Sequence, residues 1–332
     1  FSNFADNGQI GIDAMSSTVE VNTTQVTGHP QQGVNLFNSA IEMSESNVDN
    51  NGSEGMRAQS SVGAVKNGTI SNNTGDGVAL ASSSGELDGT TVDSNGGVGA
   101  RASLGKITLI DATLSNNALD GVVLTSAQAA LENSRLLNNR AFGVVASERS
   151  LVTLTSSEVS GHPSGGFSLV DSSADLRAST VKDNQVNGFD ANNSAVKLLE
   201  ESVVSGHSAN GLLLTNSSVE IDASTVTSNS ESGFTATDSI ITGFTSRVVS
   251  NGSDGFTITN SKVDLEGRKL ANNTSRGSIG ETNSEVVLKD STISNNGSEG
   301  LVLTDGTSDI RTSTINANGL QGVLGNESQL TF

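Results

Sequence analysis

A 22-residue unit that repeats without loss of register constrains this chain more than any other feature. It is plainest from Asn210 to Asn229, NGLLLTNSSVEIDASTVTSN. Leu212 and Leu214 follow Gly211, Val219 and Ile221 follow a polar TNSS corner, and Val226 precedes Asn229. Alternation at period two marks strands with one buried face. Three such strands in one unit, with Ser, Asn and Gly between them, predict one coil of a solenoid.

Two markers carry the register along the chain. A glycine opens each coil at Gly11, Gly33, Gly55, Gly77, Gly99, Gly121, Gly143, Gly166, Gly188, Gly211, Gly233, Gly255, Gly277, Gly300 and Gly322, in steps of 22 or 23 residues. The second marker is Asn or His at every coil: Asn7, His29, Asn51, Asn73, Asn95, Asn117, Asn139, His162, Asn184, His207, Asn229, Asn251, Asn273, Asn296 and Asn318. A polar loop under no constraint would vary here, so these side chains are expected to form an internal ladder, each amide bonded to those one coil away. The residue three after each glycine alternates small and large, from Ala14 and Leu36 through Ala102 and Leu124 to Leu303 and Gly325. Side chains stacked ~4.8 Å apart cannot all be bulky, so the true repeat is a pair of coils.

The expectation is therefore an all-β, single-domain parallel β-helix over residues 1–332, of about 15 coils with three short strands each. Thirty-seven Gly and two Pro suit its many corners, and strict patterning argues against disorder despite 33% apolar residues. No Cys is present, so disulfides and thiolate metal sites are ruled out. No apolar run is long enough to span a bilayer and no signal peptide is visible. The first residue is Phe1, which predicts a processed or excised piece of something longer. Both ends read as open coils, Phe1 and Phe4 at one and Leu330 and Phe332 at the other, which predicts end-to-end contacts through axial stacking or cover by flanking domains.

Charge points away from nucleic acid. Seventeen Lys and Arg against 36 Asp and Glu leave a net charge of −19, with no basic stripe and no Tyr or Trp. Solubility is the plain explanation. Calcium binding is the sharper one, because Glu54, Asp76, Asp120, Asp254 and Glu299 all stand just before a coil glycine, though not in consecutive coils throughout. Otherwise no cofactor is expected.

Some irregularities stand out. Extra residues are placed in the corner SERS before Val152 and near LEES before Val204. Phe167, Phe189, Phe234 and Phe256 share one inward column and predict an aromatic stack. In the least regular coil Ser278 replaces the usual apolar residue, and Ile279 is expected to turn inward instead. Outward Val123, Val145, Leu213 and Val302 offer a lateral contact with another chain. His29, His162 and His207 each occupy a ladder position after a Gly, where an imidazole can replace an amide; a structural role is expected.

Units such as NNTGDGVAL at Asn72 to Leu80 and SNNGSEGLVL at Ser294 to Leu303, followed by strands like Ser224 to Val226, resemble the right-handed parallel β-helix repeat family over essentially the whole chain. The 22-residue leucine-rich repeat wants an apolar residue two after its Asn, where most coils here carry a small or polar one. A left-handed hexapeptide helix would need an 18-residue coil. The resemblance implies polysaccharide lyases, glycoside hydrolases, uronan epimerases, phage tailspikes or adhesins. Its enzymes would show carboxylates, or basic residues near calcium, on one outward strand face beneath long turns. Here that face runs Asp13, Asn35, Arg57, Ala79, Arg101, Val123, Val145, and no catalytic residue can be assigned. The reading is a non-enzymatic rod on the order of 70 Å long, part of an extracellular or cell-surface adhesin, fibre or filament. The alternative is a carbohydrate-active enzyme or polysaccharide-binding depolymerase. Expected partners are further copies, flanking domains or an extracellular polysaccharide.

Overall fold

The computed structural model describes residues 1–332. The chain is a right-handed parallel β-helix of about 15 turns with three strands per coil, and it contains no helix. Contacts group into two compact units, Phe1–Ser164 and Gly165–Phe332. In each unit the first strands of successive coils pair with one another, as do the second and the third, so three parallel sheets face a common interior.

Pairing holds the register that the sequence predicts. In the first unit Val78–Ala81 pairs with Ala100–Ser103 so that Leu80 meets Ala102, and Ile70 meets Val92 in the third sheet. In the second unit Leu212 meets Phe234 and Ile221 meets Gly243. Inward positions are buried in both, including Leu80, Ala102 and Leu124 in one and Leu214, Ala236 and Ile258 in the other. The aromatic column forms two stacked pairs, Phe167 on Phe189 at 4.5 Å and Phe234 on Phe256 at 4.8 Å between ring centroids, with Leu212 between them.

Corners one and two, before and after the second strand, share a design. One residue in the left-handed region turns the chain, and the next points inward. Asn216 (φ 49°) precedes buried Ser217, and Ala223 (φ 47°) precedes buried Ser224. Left-handed backbone costs a non-glycine residue roughly 1–2 kcal/mol, and the inward serine offsets part of that through its bonds. Ser39 Oγ donates to the Phe37 carbonyl at 2.9 Å and accepts the Ser17 N–H from the previous coil at 3.0 Å. Serine columns of this kind run along both corners, for instance Ser194–Ser217–Ser239–Ser261 and Ser224–Ser246. The third corner holds the Asn/His ladder. It is always three residues longer, up to the glycine that opens the next coil. That glycine is required by space: a Cβ on Gly77 would lie 2.6 Å from the Gly99 carbonyl of the next coil.

The extra residues lie where the sequence placed them. Glu148 and Arg149 are both left-handed at corner one, Glu200 and Glu201 at corner two, and Thr282 with Asn283 makes a third double corner. One expectation fails. Ser278 keeps the inward place between Phe256 and Leu301, and Ile279 stays in the outward column between Thr257 and Val302. Turning Ile279 inward would need a one-residue slip, which would flip the whole strand. Pairing on both sides forbids that.

Candidate functional surface

The internal ladder uses up its polar atoms. In the first unit Asn73 Nδ2 donates to Asn95 Oδ1 at 3.0 Å and to the Val48 carbonyl at 3.1 Å. Its Oδ1 accepts both the Asn51 N–H at 3.1 Å and Asn51 Nδ2 at 2.8 Å. All four bonding positions of the carboxamide are thus filled. The full pattern repeats at Asn95, Asn117, Asn273 and Asn296, and the amide-to-amide bond also at Asn229 and Asn251. Every rung from His29 to Asn296 is buried, whereas Asn7 is exposed and Asn318 half-buried. Asn139 donates to the Leu114 carbonyl at 3.1 Å, and Asn184 lies buried in the second unit.

The histidines copy the amides with one donor fewer. His162 Nδ1 accepts the Asn139 N–H at 3.2 Å while Nε2 faces the Leu136 carbonyl at 3.1 Å, and His29 repeats this with Asn7 and Phe4. Asn229 Oδ1 accepts only a backbone N–H from His207, at 3.2 Å. Burial pulls the His162 imidazole down, and pulls His207 down to about 4 against the backbone groups of Val181 and Asn184. The preceding Gly28, Gly161 and Gly206 have φ of 71–76°, beyond the 52° of Asp6 or 59° of Ser228 at the equivalent place. At these three positions the wider ring does coincide with a more open corner. In His29 and His162 both ring nitrogens face backbone groups of the ladder, whereas Nε2 of His207 is buried without a hydrogen-bond partner.

Each acidic residue before a coil glycine has a local partner. Asp76 accepts the Val98 N–H at 2.7 Å and the Arg101 guanidinium at 2.7 Å. Asp120 accepts the Phe142 N–H at 2.8 Å, and Asp254 takes both the backbone and the side chain of Arg276. Glu54 is bonded by Ser53 and Gln32, and Glu299 by Ser298. Nowhere do three His, Asp or Glu side chains gather. In the first unit Asp76, Arg101 and Asp120 form an electrostatic cluster along the first sheet, and in the second Arg177 pairs with both Asp175 and Glu200. Burial pushes the Asp120 carboxyl up, while the Phe142 N–H and Arg101 pull it down. Asp190 in the second unit is also pushed up by burial, opposed by Asn187.

Other sequence candidates fall as follows. Val123, Val145 and Leu213 are half-buried and Val302 is buried, so none presents a free apolar face. Phe1, Phe4 and Phe332 are exposed, and Leu330 is half-buried and paired with Ser308. The serine columns were not anticipated, nor was the fate of Arg268, which takes the serine place of corner two between Ser246 and Ser291. Only 2% exposed, it runs inward beneath Gly243 and donates Nη2 to the Ile221 carbonyl, leaving Nε and Nη1 without acceptors. Burial pulls its guanidinium down to about 10, with Asp222 opposing. A glycine in an inward aliphatic column beside an arginine in a serine column was the available signal.

Corner one carries shallow troughs in both units; that of the second is lined by Asn283, Asp305, Thr307 and Glu327, and those of the first unit carry no carboxylate. Left-handed Ser16, Asn38, Ser60, Ser82, Leu104 and Ser126 leave shallow troughs there, one over Ser16 to Val62 and one over Ser82 to Arg149. Exposed Met15, Phe37, Val62 and Leu104 stand on their rims.

The family model described as "Right handed beta helix region" matches residues 1–109, 84–221 and 210–332. No curated protein matches the chain in sequence. Among solved structures, the Vag8–C1 inhibitor complex contains a chain 10% identical with a TM-score of 0.69, covering 97% of this chain and 99% of that one. The periplasmic alginate epimerase AlgG is 14% identical, covering 87% and 77%, with a TM-score of 0.47. The pectate lyase Pel9A is 12% identical, covering 67% and 71%, with a TM-score of 0.37. Identities this low speak to fold alone. The chain belongs to the right-handed β-helix family.

Proposed function

We propose that this member of the right-handed β-helix family is a non-enzymatic structural element of an extracellular or surface-displayed adhesin, fibre or filament, presenting its outer faces to a partner. The observation that carries this reading is the uniform shortness of its connections. Corners one and two turn on one or two left-handed residues, the third always spans three residues, and no segment rises to wall a cleft over any sheet. Without such walls a bound polymer stays hydrated, and the gain from a water-excluded electrostatic site is lost. Vag8, of similar fold, is seen in complex with C1 inhibitor, which supports a protein as the kind of partner. The test is turnover: incubation with alginate and polygalacturonate, followed by absorbance of unsaturated products and by proton NMR, should show no change in either polymer.

A second reading, a carbohydrate-active enzyme, is favoured by Asp76–Arg101–Asp120. A carboxyl raised by burial beside a guanidinium could exchange a proton while the cation holds a sugar carboxylate. Turnover abolished by Asp120→Asn, with the fold intact, would establish this reading and end the first.

A further inference from the structure

We propose that the corner-one trough between Ser82 and Arg149 binds an extended acidic peptide segment whose two carboxylates lie three residues apart. This deepens the partner-binding reading and rests on it.

Three features of the trough support the assignment. Its charge is the reverse of its surroundings: Lys106 and Arg149 line it, no carboxylate does, and neither cation has an ion-pair partner. By contrast Lys66, Arg101 and Arg135 in the same unit are paired with Glu42, Asp76 and Glu158. The neighbouring Glu148 is turned to Ser126 Oγ at 3.0 Å, not to Arg149. Arg149 is moreover the extra residue of its corner, so the irregularity of the repeat is what brings a cation to this rim.

Leu104 supplies the second feature. It holds φ 53° and is 66% exposed, where the neighbouring coils place Ser82 and Ser126. A bulky apolar residue in left-handed backbone, facing water, is costly twice over, and strain of this kind concentrates where a ligand is engaged. It stands beside Lys106, giving one apolar and one cationic contact side by side.

Spacing is the third. Lys106 pairs with Gln128, and Gln128 with Leu151 just after Arg149, so the two cations lie two coils apart. At ~4.8 Å per coil that is about 10 Å, and a peptide extended as polyproline II, at ~3.1 Å per residue and about three residues per turn, covers it in three residues with both side chains on one face. The geometry therefore selects Glu-x-x-Glu or its aspartate equivalents, with an aliphatic side chain against Leu104.

The test is fluorescence anisotropy of the full chain with a labelled ten-residue peptide carrying two glutamates three positions apart and one leucine, the rest Ser and Gly. Comparison peptides carry Gln for Glu, or adjacent glutamates. Lys106→Glu with Arg149→Glu should weaken binding of the first peptide about tenfold or more, and Leu104→Ser severalfold. Arg140→Glu, at another corner, should leave it unchanged, and circular dichroism melts should match for all. Equal affinity of the double variant, indifference to glutamate spacing, or displacement of the peptide by a sulfated hexasaccharide that binds more tightly would each overturn the proposal. None of these bears on polymer turnover, whose appearance would instead remove the reading beneath.

Discussion

Corner one is built differently in the two units. In the second, its left-handed positions run Asp171, Asn193, Asn216, Asp238, Asn260, then Thr282 with Asn283, Asp305 and Glu327. Several bond along the axis: Asn193 Nδ2 to Asp171, Asn216 Nδ2 to Asn193 at 3.1 Å, and Asn260 Nδ2 to Asp238 at 2.5 Å. In the first unit the same positions are mostly Ser, with two contacts along the axis, Asn38 to Ser16 at 3.4 Å and Ser126 Oγ to Glu148 at 3.0 Å. Asn and Asp enter left-handed backbone most easily among side-chain-bearing residues. The second unit's corner is thus locally relaxed and repeatedly self-bonded, whereas the first unit's is less of both, and leaves more of its edge open. An edge that satisfies itself offers less to a partner.

That contrast should be confined to the outside. Asn95→Leu in the first unit and Asn251→Leu in the second should cost alike, about 4 kcal/mol, because each orphans a buried N–H and a side-chain amide of the preceding rung. Denaturant unfolding would measure both, and a markedly cheaper loss in one unit would carry the difference into the interior.

Acid acts on a buried ladder imidazole in each unit, His162 in the first and His207 in the second. His207 has its folded pKa lowered to about 4 from an ordinary 6.5, so the unfolded chain binds the extra proton first. The stability this imidazole contributes is present above pH 6.5 and lost as pH falls towards 4, by about 3 kcal/mol. His207→Asn should flatten that loss in the second unit, and it also restores the donor that Asn229 Oδ1 lacks. An unchanged pH profile of unfolding would show the ring to be solvated.

Arg268 offers a cycle of mutations found only in the second unit. Gly243→Leu alone should destabilise by about 2 kcal/mol or more by overpacking the guanidinium. Gly243→Leu with Arg268→Ser should recover the part due to the guanidinium but not all of it, since a Cβ at Gly243 would still meet the Ile221 carbonyl; a coupling of about 1–2 kcal/mol is expected. Additive melts would mean the two do not share one space.

The smallest effect bears on the corner itself. Leu104→Asn should stabilise the first unit by about 0.5–1 kcal/mol and Asn260→Leu destabilise the second by a similar amount. Equal and negligible shifts in thermal melts would make the two corners energetically the same.

Much of this was legible beforehand because the repeat writes it many times. The inward columns, the ladder and both early insertions follow from apolar period, glycine step and Asn position. The serine columns escaped because Ser is so common along the chain that a Ser in register does not stand out. Ile279 was misjudged because hydrophobicity was read residue by residue, while the strand's facing is fixed by pairing with its neighbours on either side. The trough depends on which left-handed side chains are short, a property of three-dimensional corners that no period reveals.

Alternating small and large residues also bears on how such a chain can change length over generations. Loss of one coil, residues 78–99, would set Ala58 against Ala102 and leave a void where Leu80 had been. Loss of two, residues 78–121, would set Ala58 against Leu124 and keep the interdigitation whole. Duplications and deletions of 44 residues are therefore tolerated where those of 22 are penalised. A lineage of these proteins should differ in coil number by even steps.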